Sequence, residues 1–195
     1  MPNNPIQDFF DQRAPLWDTW ADDDLGYVRS LLDRIGIHRG DRVLDLACGT
    51  GVITGLLHEY SEAPVVAMDL SPKMVEAARA KYASAGFATF LAQDFYQYDG
   101  EPFDVIVIYN AYPHFVDVPA LIQKLRDCLK TGGRAAIVHS LGRERLARHH
   151  ENVGSDISRD LLPVGEESKP FAPFFEVYEA EEDDDHYLLC FRKAD

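Results

Sequence analysis

The feature that most constrains the fold of this chain is a regular alternation of strand-like and helix-like segments between Leu25 and about Leu146. Short apolar runs alternate with stretches in which apolar residues recur at helical spacing. This order is typical of βαβ units, in which a helix connects each strand of a parallel sheet to the next. The sequence therefore predicts an α/β fold, with a Rossmann-like doubly wound sheet that is mostly parallel.

Five parallel strands and a C-terminal hairpin make up the predicted sheet. The parallel strands are expected at residues 42–46, 64–69, 89–92, 103–109 and 135–139. Two later strands, at 174–179 and 186–192, flank an acidic stretch and predict a hairpin with an antiparallel edge. Helices are expected over 24–35, from 52 onwards, over 72–86, over 143–151 and over 157–162.

Composition and charge argue against several classes of function. The net charge is −14, from 33 acidic and 19 basic residues, and no Lys/Arg cluster could follow a phosphate backbone. The apolar runs are shorter than the roughly 20 residues of a membrane span, and residues 1–10 lack a signal-peptide pattern. We therefore expect a cytoplasmic protein with no nucleic-acid or membrane partner. The cysteines, Cys48, Cys128 and Cys190, form no CxxC pair and are expected to be buried thiols.

A glycine-rich turn after the first predicted strand indicates a ligand site. The strand carries Asp45, and Gly49 and Gly51 let a ligand approach the backbone before the next helix begins. Two ligands compete: a dinucleotide held by its pyrophosphate, and an adenosyl ligand that carries an amino acid. Asp45 favours the second, because a carboxylate repels a pyrophosphate but attracts an ammonium or a sulfonium. The next glycine is Gly55, so the GxGxxG dinucleotide pattern is missed by one position.

Two further acids follow the next two predicted strands. Asp69 ends the second strand, where it can accept hydrogen bonds from both hydroxyls of a ribose. Asp94 follows the third strand, where it can accept from an adenine amino group while Phe95 packs beside the ring. Three acids are thus expected along one edge of the sheet.

The segments DLACGTG, MDLS, AQDF, FDVIVIYNAYPHF and KTGG together resemble the successive motifs of class I S-adenosylmethionine-dependent methyltransferases, over roughly residues 25–140. The resemblance implies S-adenosylmethionine as cofactor and S-adenosylhomocysteine as product. It implies a cofactor site formed by Asp45, Ala47, Gly49, Gly51, Asp69, Leu70, Asp94, Phe95 and Asn110. Within that site, Asp69 would bind the ribose and Asp94 the adenine, while Tyr109 and Asn110 would face the reacting methyl group.

Two departures from the family pattern affect what we expect. Ala47 stands where many members have the first of three glycines, and its methyl group is tolerated if φ is negative there. The fourth strand ends in YNAYPHF rather than in the Asn/Asp-Pro-Pro-Tyr/Phe signature of relatives that methylate amino groups of DNA or glutamine. Exocyclic amine acceptors are therefore disfavoured.

Four histidines follow the fourth and fifth predicted strands, namely His114, His139, His149 and His150. Because parallel strands end at one edge of a sheet, His114 and His139 are expected to flank the methyl donor, and with Tyr109 they are the candidate catalytic residues. A neutral imidazole can take the proton that an oxygen or sulfur nucleophile loses on methylation. Packing or surface roles compete with this interpretation. A metal site that these histidines form with Glu144 is disfavoured, so no metal is predicted.

The N-terminal stretch is rich in aromatic residues, with Phe9, Phe10, Trp17 and Trp20 in a partly helical segment. We expect a lid over the site, and a helix packed on the outside of the sheet is the competing interpretation. The chain is then expected to be one domain, 1–195. It comprises an N-terminal helical lid (1–23), a cofactor-binding core (24–140), and acceptor-side helices with the hairpin (141–195).

These features predict an enzyme that transfers a methyl group from S-adenosylmethionine by direct in-line displacement. No inserted domain interrupts the core, so the acceptor is expected to be a small molecule. A non-catalytic protein that binds S-adenosylmethionine or S-adenosylhomocysteine is the alternative, because a fold does not establish chemistry. An NAD-dependent oxidoreductase is a weaker alternative, since Asp45 and the glycine spacing disfavour it.

Overall fold

In the part of the chain that the structure describes, seven strands and eight α-helices alternate largely as predicted. The structure, a computed structural model, describes residues 4–20, 24–150 and 153–194, except for the side chains of residues 20, 149 and 150. The strands are β1 (Val43–Leu46), β2 (Val65–Asp69), β3 (Ala88–Ala92), β4 (Phe103–Tyr109), β5 (Leu129–His139), β6 (Phe175–Glu182) and β7 (Tyr187–Lys193). The helices in the described residues are α1 (Pro5–Arg13), α2 (Trp17–Trp20), α3 (Leu25–Leu32), α4 (Thr54–Ser61), α5 (Pro72–Lys81), α6 (Val118–Cys128), α7 (Arg143–His150) and α8 (Val164–Glu167).

The strands form one sheet in the order β3-β2-β1-β4-β5-β7-β6. Strands β1 to β5 pair in parallel, while β7 pairs antiparallel with both β5 and β6. The predicted doubly wound sheet with an antiparallel C-terminal hairpin is confirmed. The chain builds outward from β1 to β3 and then crosses to β4, so the topological switch point lies between β1 and β4. Ligands of doubly wound sheets bind at the carboxyl ends of the strands beside this point.

Apolar cores on both faces of the sheet fix the position of β1. Every residue of β1 is buried. On one face Val43 joins a cluster with Leu32, and on the other Leu44 joins a cluster with Leu121 and Leu125 of α6. Each such side chain stabilises the fold by about 1.5–3 kcal/mol on burial. The carboxyl end of β1 is therefore held rigidly, and so is the turn that follows it.

The segment before α8 departs from the prediction. The helix expected over 157–162 is wrong, because these residues form a turn and irregular chain, and α8 begins only at Val164. Pro163 explains the shift, since proline disfavours helical backbone at the residue before it. Helix α6 was not predicted, although its buried face, which includes Leu121, Ile122 and Leu125, has a helical period.

Strand β5 is longer than expected. It begins at Leu129, and Gly132 and Gly133 lie within it as an irregularity in the pairing with β4. The three cysteines are buried and free, as expected. In the described part of the chain, no helix combines the length and the apolar composition that crossing a membrane requires.

Candidate functional site

A cavity of about 830 Å³ lies at the carboxyl ends of the parallel strands, beside the switch point. This volume is within the range of sites that enclose a small organic ligand. Most of the predicted site residues line it, namely Asp45, Ala47, Gly49, Asp69, Leu70, Asp94, Phe95, Tyr109, Asn110 and His114. The fold thus brings residues from four separate strand ends to one cavity.

The turn after β1 contains three residues in the left-handed region. Ala47 has φ 57°, Gly49 has φ 54° and Gly51 has φ 80°. The condition under which a methyl group is readily tolerated at Ala47, a negative φ, is therefore not met, and the left-handed conformation costs an alanine roughly 1–2 kcal/mol. Backbone hydrogen bonds hold the turn, from the Cys48 N–H to the Met68 carbonyl at 3.0 Å and from the Gly51 N–H to the Cys48 carbonyl at 2.8 Å. Local strain is thus located in the cavity wall.

Gly51 does not line the cavity. It lies where the turn packs closely against Tyr82 and Thr54. A Cβ on Gly51 would lie 3.0 Å from the Tyr82 ring and 3.2 Å from the Thr54 hydroxyl oxygen. The Tyr82 hydroxyl donates to the Gly51 carbonyl at 2.8 Å and accepts the Gly55 N–H at 3.3 Å. The spacing of Gly51 and Gly55 therefore serves close packing against Tyr82.

Two buried carboxylates lie beside the turn. Asp69 accepts the N–H groups of Gly49 and Ser71, each at 2.8 Å, and Asp45 accepts the Thr54 hydroxyl at 2.5 Å. Burial raises the pKa of Asp45 to about 7, and the nearby Asp69 charge adds to the effect. Burial likewise raises the pKa of Asp69 to about 6, against the two backbone hydrogen bonds. A cation bound in the cavity would favour the ionised form of both groups.

The third acid lies at the end of β3. Asp94 caps a short 3-10 helix, Phe95–Gln97, and accepts the Tyr96 N–H at 2.9 Å. Its carboxylate is only partly buried and lines the cavity, while the neighbouring Phe95 is buried. The hydrogen bond from the Tyr96 N–H fixes the Asp94 carboxylate, which extends the cavity wall that Asp45 and Asp69 also line.

The ends of β4 and β5 are tied together at the cavity. The Ser140 N–H donates to Asn110 Oδ1, and Asn110 Nδ2 donates to Ser140 Oγ, both at 3.0 Å. Asn110 has φ 50°, so it leaves the strand in the left-handed region. Tyr109 is buried and lines the same wall.

His114 lies on the loop after β4 with a defined tautomer. Its Nδ1 lies 2.9 Å from the Ile157 carbonyl, and because a carbonyl only accepts, Nδ1 carries the proton and Nε2 the lone pair. The Phe10 ring meets the imidazole edge-on, with ring centres 4.8 Å apart. Helix α1 therefore packs, through Phe10, against the His114 imidazole that could take up a proton.

The expected position of His139 beside the ligand is wrong. His139 is fully buried, and its ring packs edge-on against Tyr187 of β7 with centres 6.1 Å apart. Neighbouring residues of a strand face opposite sides, and the next residue, Ser140, lines the cavity instead. The side chains of His149 and His150 lie outside the described residues. Among the residues that the structure describes, no group of three or more His, Cys, Asp or Glu side chains could hold a metal ion.

The N-terminal segment closes one side of the cavity. Its residues that line the cavity are Asn4, Ile6, Phe10 and Trp17. Asp11 accepts the Ser71 hydroxyl at 2.5 Å and the Lys73 N–H at 3.1 Å. Asp18 accepts the Thr50 hydroxyl at 2.5 Å and pairs with Lys81 at 2.9 Å. Residues 1–3 and 21–23 of the predicted lid lie outside the described residues.

Sequence reasoning missed several residues of the cavity wall. They include Tyr27, Met74, Gln93, Tyr96, Arg145 and Asp185. Arg145 of α7 pairs with Asp185 of the β6–β7 turn at 3.1 Å. Only the helical spacing around Tyr27 and Met74 could have suggested an inward face. The others lie in loops or on an exposed helix, where no local pattern distinguishes them.

Comparison with known proteins identifies the domain. Residues 43–133 match a family described as a methyltransferase domain. The malonyl-acyl-carrier-protein O-methyltransferase of Acetivibrio thermocellus is 26% identical over 173 residues, which cover 87% of this chain and 60% of that protein. Residues 43–133 therefore belong to a methyltransferase domain, and together with the curated relatives they indicate the class I S-adenosylmethionine-dependent type. The chain spans less than two thirds of the length of this curated relative.

Solved structures share the fold of the methyltransferase domain. A chain of the complex that contains the Haloferax volcanii Trm112 methyltransferase activator superimposes with a TM-score of 0.80 at 21% identity, covering 95% of this chain and 98% of that one. The N-methyltransferase NodS from Bradyrhizobium japonicum, in complex with S-adenosylhomocysteine, has a TM-score of 0.74 at 17% identity and covers 99% and 100%. At these identities the likeness establishes the fold alone.

Proposed function

We propose that this methyltransferase domain binds S-adenosylmethionine in the cavity and transfers the methyl group to a small-molecule acceptor. The observation that carries the proposal is the row of three acids, Asp45, Asp69 and Asp94, along one cavity wall at the ends of neighbouring strands. Two of them are buried and have raised pKa values. Carboxylates perturbed in this way inside a cavity are typical of functional sites.

The hydrogen-bonding groups of this wall fit an adenosyl ligand. Each oxygen of Asp69 accepts one backbone N–H, which leaves a lone pair on each for a ribose hydroxyl. Asp94 retains capacity to accept from an adenine amino group beside Phe95. A Cβ built on Gly49 would meet only the Trp17 indole nitrogen, at 3.9 Å, so a ligand can lie against this part of the backbone.

S-adenosylmethionine, when bound, supplies a methyl group on a sulfonium, and the acceptor takes it by direct in-line displacement. His114 accepts the proton that the acceptor loses, at Nε2, because Nδ1 is protonated. Tyr109 and Asn110 orient the reacting groups from the end of β4. Phe10 and Trp17 exclude water from the cavity.

The size of the cavity favours a small acceptor. The remaining space is bounded by α1, the loop after β4 and the start of α7, each of which contributes lining residues. The matched proteins include an O-methyltransferase and an N-methyltransferase, so they do not agree on the atom that is methylated. The proposal therefore rests on the cavity and specifies only that the acceptor is a small nucleophile.

Calorimetry tests the cofactor assignment. We expect S-adenosylhomocysteine to bind, and Asp69→Ala to weaken binding by roughly 2 kcal/mol through two lost ribose hydrogen bonds. Asp104→Ala is the matched control, because Asp104 is the second residue of β4, at the end of the strand away from the cavity, and pairs with Lys130. Equal affinity in the Asp69 variant would remove Asp69 from the site. Tighter binding of NAD than of S-adenosylhomocysteine would favour the oxidoreductase alternative. Binding without turnover on a panel of small oxygen, nitrogen and sulfur nucleophiles would favour the non-catalytic alternative.

A further inference from the structure

A buried ion pair lies behind the loop that carries His114. Glu167 of α8 is 2% exposed. Arg159 contacts it with both terminal nitrogens, at 2.8 and 3.1 Å, and the Leu162 N–H donates to it at 3.1 Å. The Tyr112 hydroxyl also donates to Glu167, at 2.7 Å, and burial raises the pKa of Tyr112, so this hydroxyl stays protonated. The Glu167 carboxylate therefore receives four hydrogen bonds, from two separate parts of the chain.

These contacts join an irregular segment to a short 3-10 helix. Residues 158–163 form neither helix nor strand, and Tyr112 begins the 3-10 helix Tyr112–His114 after β4. The Arg159 guanidinium also lies over the Tyr112 ring, 4.6 Å from its centre. One carboxylate thus fixes the distance between the loop after β4 and the segment that faces it.

The same two segments meet again at His114. The Arg159 N–H donates to the Pro113 carbonyl at 3.0 Å, and the Ile157 carbonyl accepts the His114 Nδ1–H at 2.9 Å. The carbonyl that selects the imidazole tautomer belongs to Ile157, two residues before Arg159. Ile157 ends a turn in which its N–H donates to the Gly154 carbonyl at 2.9 Å, and the contacts of Arg159 with Pro113 and Glu167 hold this turn against the loop after β4.

We propose that Glu167, through Arg159 and Tyr112, is the positioning residue that keeps His114 in the Nδ1–H tautomer, in which Nε2 is the ring nitrogen that can take up a proton. This role rests on the proposed function, because it matters only if His114 takes up that proton. Glu167 does not line the cavity. It acts on the reaction only through the orientation and the tautomer of the imidazole.

Nitrogen NMR of the histidine rings tests this role without an acceptor. Long-range proton–nitrogen correlation spectra of the labelled full chain, at a pH above the histidine titration range, report which ring nitrogen carries the proton. His114→Ala assigns the signal. We expect wild-type His114 to be the Nδ1–H tautomer, and Glu167→Gln to lose most of that population, because an amide replaces one accepting oxygen with a donor. Tyr112→Phe removes one of the four hydrogen bonds and should cause a smaller loss in the same direction.

Two controls separate positioning from general stability. Asp41→Asn breaks the partly buried Arg134–Asp41 pair, 2.7 Å apart at the other end of the sheet, and should leave the His114 spectrum unchanged. His58, whose Nδ1 also lies 2.9 Å from a carbonyl, is an internal reference that should not change in any variant. A wild-type His114 spectrum in both Glu167→Gln and Tyr112→Phe would overturn the proposal, as would an equal change in Asp41→Asn. If Glu167→Gln does not fold, Tyr112→Phe alone decides. Failure to find methyl transfer would count against the proposed function and would leave this result unaffected.

Discussion

Backbone strain is concentrated beside the cavity. In the described residues, the non-glycine residues with positive φ are Ala47, Asn110 and Glu62, and the first two line the cavity. Left-handed backbone in residues with a Cβ persists where surrounding structure enforces it, and such residues cluster at ligand sites. At Ala47 and Asn110 the enforcing contacts come from β2 and from Ser140. The strained positions thus coincide with the two strands that flank the switch point.

The role of His114 can be separated from a packing role by kinetics. Once an acceptor is known, we expect His114→Ala to lower turnover about 100-fold while S-adenosylhomocysteine affinity stays nearly unchanged, because the acids that form the cofactor wall lie on other strands. Turnover and calorimetry are measured on the same preparations. His58→Ala is the control, since His58 makes the same type of carbonyl contact outside the cavity. Unaltered turnover in His114→Ala would leave catalysis to proximity alone.

Some site residues were predictable from sequence because their signals are local. Asp69 ends an apolar strand and precedes a helix cap, so its place at the sheet edge follows from a few neighbouring residues. His139 has the same local signature, yet it faces the core, because strand parity and the packing of Tyr187 decide its direction. Glu167 carried no signal, since its partners are Arg159 nearby and Tyr112 on another loop. Local sequence patterns therefore predict residues at strand ends, but they do not predict contacts between segments that are far apart in the chain.

At the scale of elements, the N-terminal segment is attached to the parts of the domain that would hold the cofactor. Asp11 bonds to the first turn of α5, which follows Asp69, and Asp18 bonds to Thr50 in the glycine turn. A carboxylate at a helix N-terminus is favourable, although side chains this exposed contribute little to stability. These polar contacts are therefore individually weak, and a lid that opens would have to break them.

The lid hypothesis predicts a kinetic effect. We expect Asp11→Ala combined with Asp18→Ala to speed S-adenosylhomocysteine dissociation about tenfold, because the polar contacts that both carboxylates make with the rest of the domain are lost. Stopped-flow tryptophan fluorescence measures the rate. Glu76→Ala is the control, since Glu76 is an exposed acid of α5 that pairs only with Lys73 in the contacts described. A large drop in melting temperature with an unchanged rate would instead support a helix that merely packs on the sheet.

The order of elements was predictable where strands and helices carry their own period. Strand β4 has the predicted bounds, Phe103–Tyr109, because it is an almost wholly apolar run in the middle of the sheet. The segment 157–162 has apolar residues at helical spacing but no helix, since Pro163 and the Glu167 contact determine its path. Propensity is thus overridden where a proline and a buried charge coincide.

At the scale of the whole molecule, the acids of the cavity lower the stability of the ligand-free domain. The pKa of Asp45 is raised from 3.8 to about 7, so the folded state binds a proton more tightly than the unfolded chain does. The stability that this difference provides is fully present below about pH 4 and is lost as the pH rises to about 7. Near neutral pH the domain therefore carries a buried carboxylate whose ionisation is unfavourable until a cation binds.

We accordingly predict that Asp45→Asn stabilises the ligand-free protein by about 4 kcal/mol at roughly pH 8 and by almost nothing at roughly pH 4. An amide keeps the shape of the neutral acid and can still accept from Thr54, but it is never ionised. Urea unfolding at the two pH values measures the change. Asp104→Asn should have the opposite sign at the higher pH, because hydrogen bonds from Lys130 and the Arg42 N–H lower the pKa of Asp104 even though burial opposes them. The Asp45 variant should also bind S-adenosylhomocysteine about tenfold more weakly, because the ligand ammonium loses its counter-charge. Equal stabilisation at both pH values would mean that packing, rather than the ionisation of Asp45, causes the change in stability.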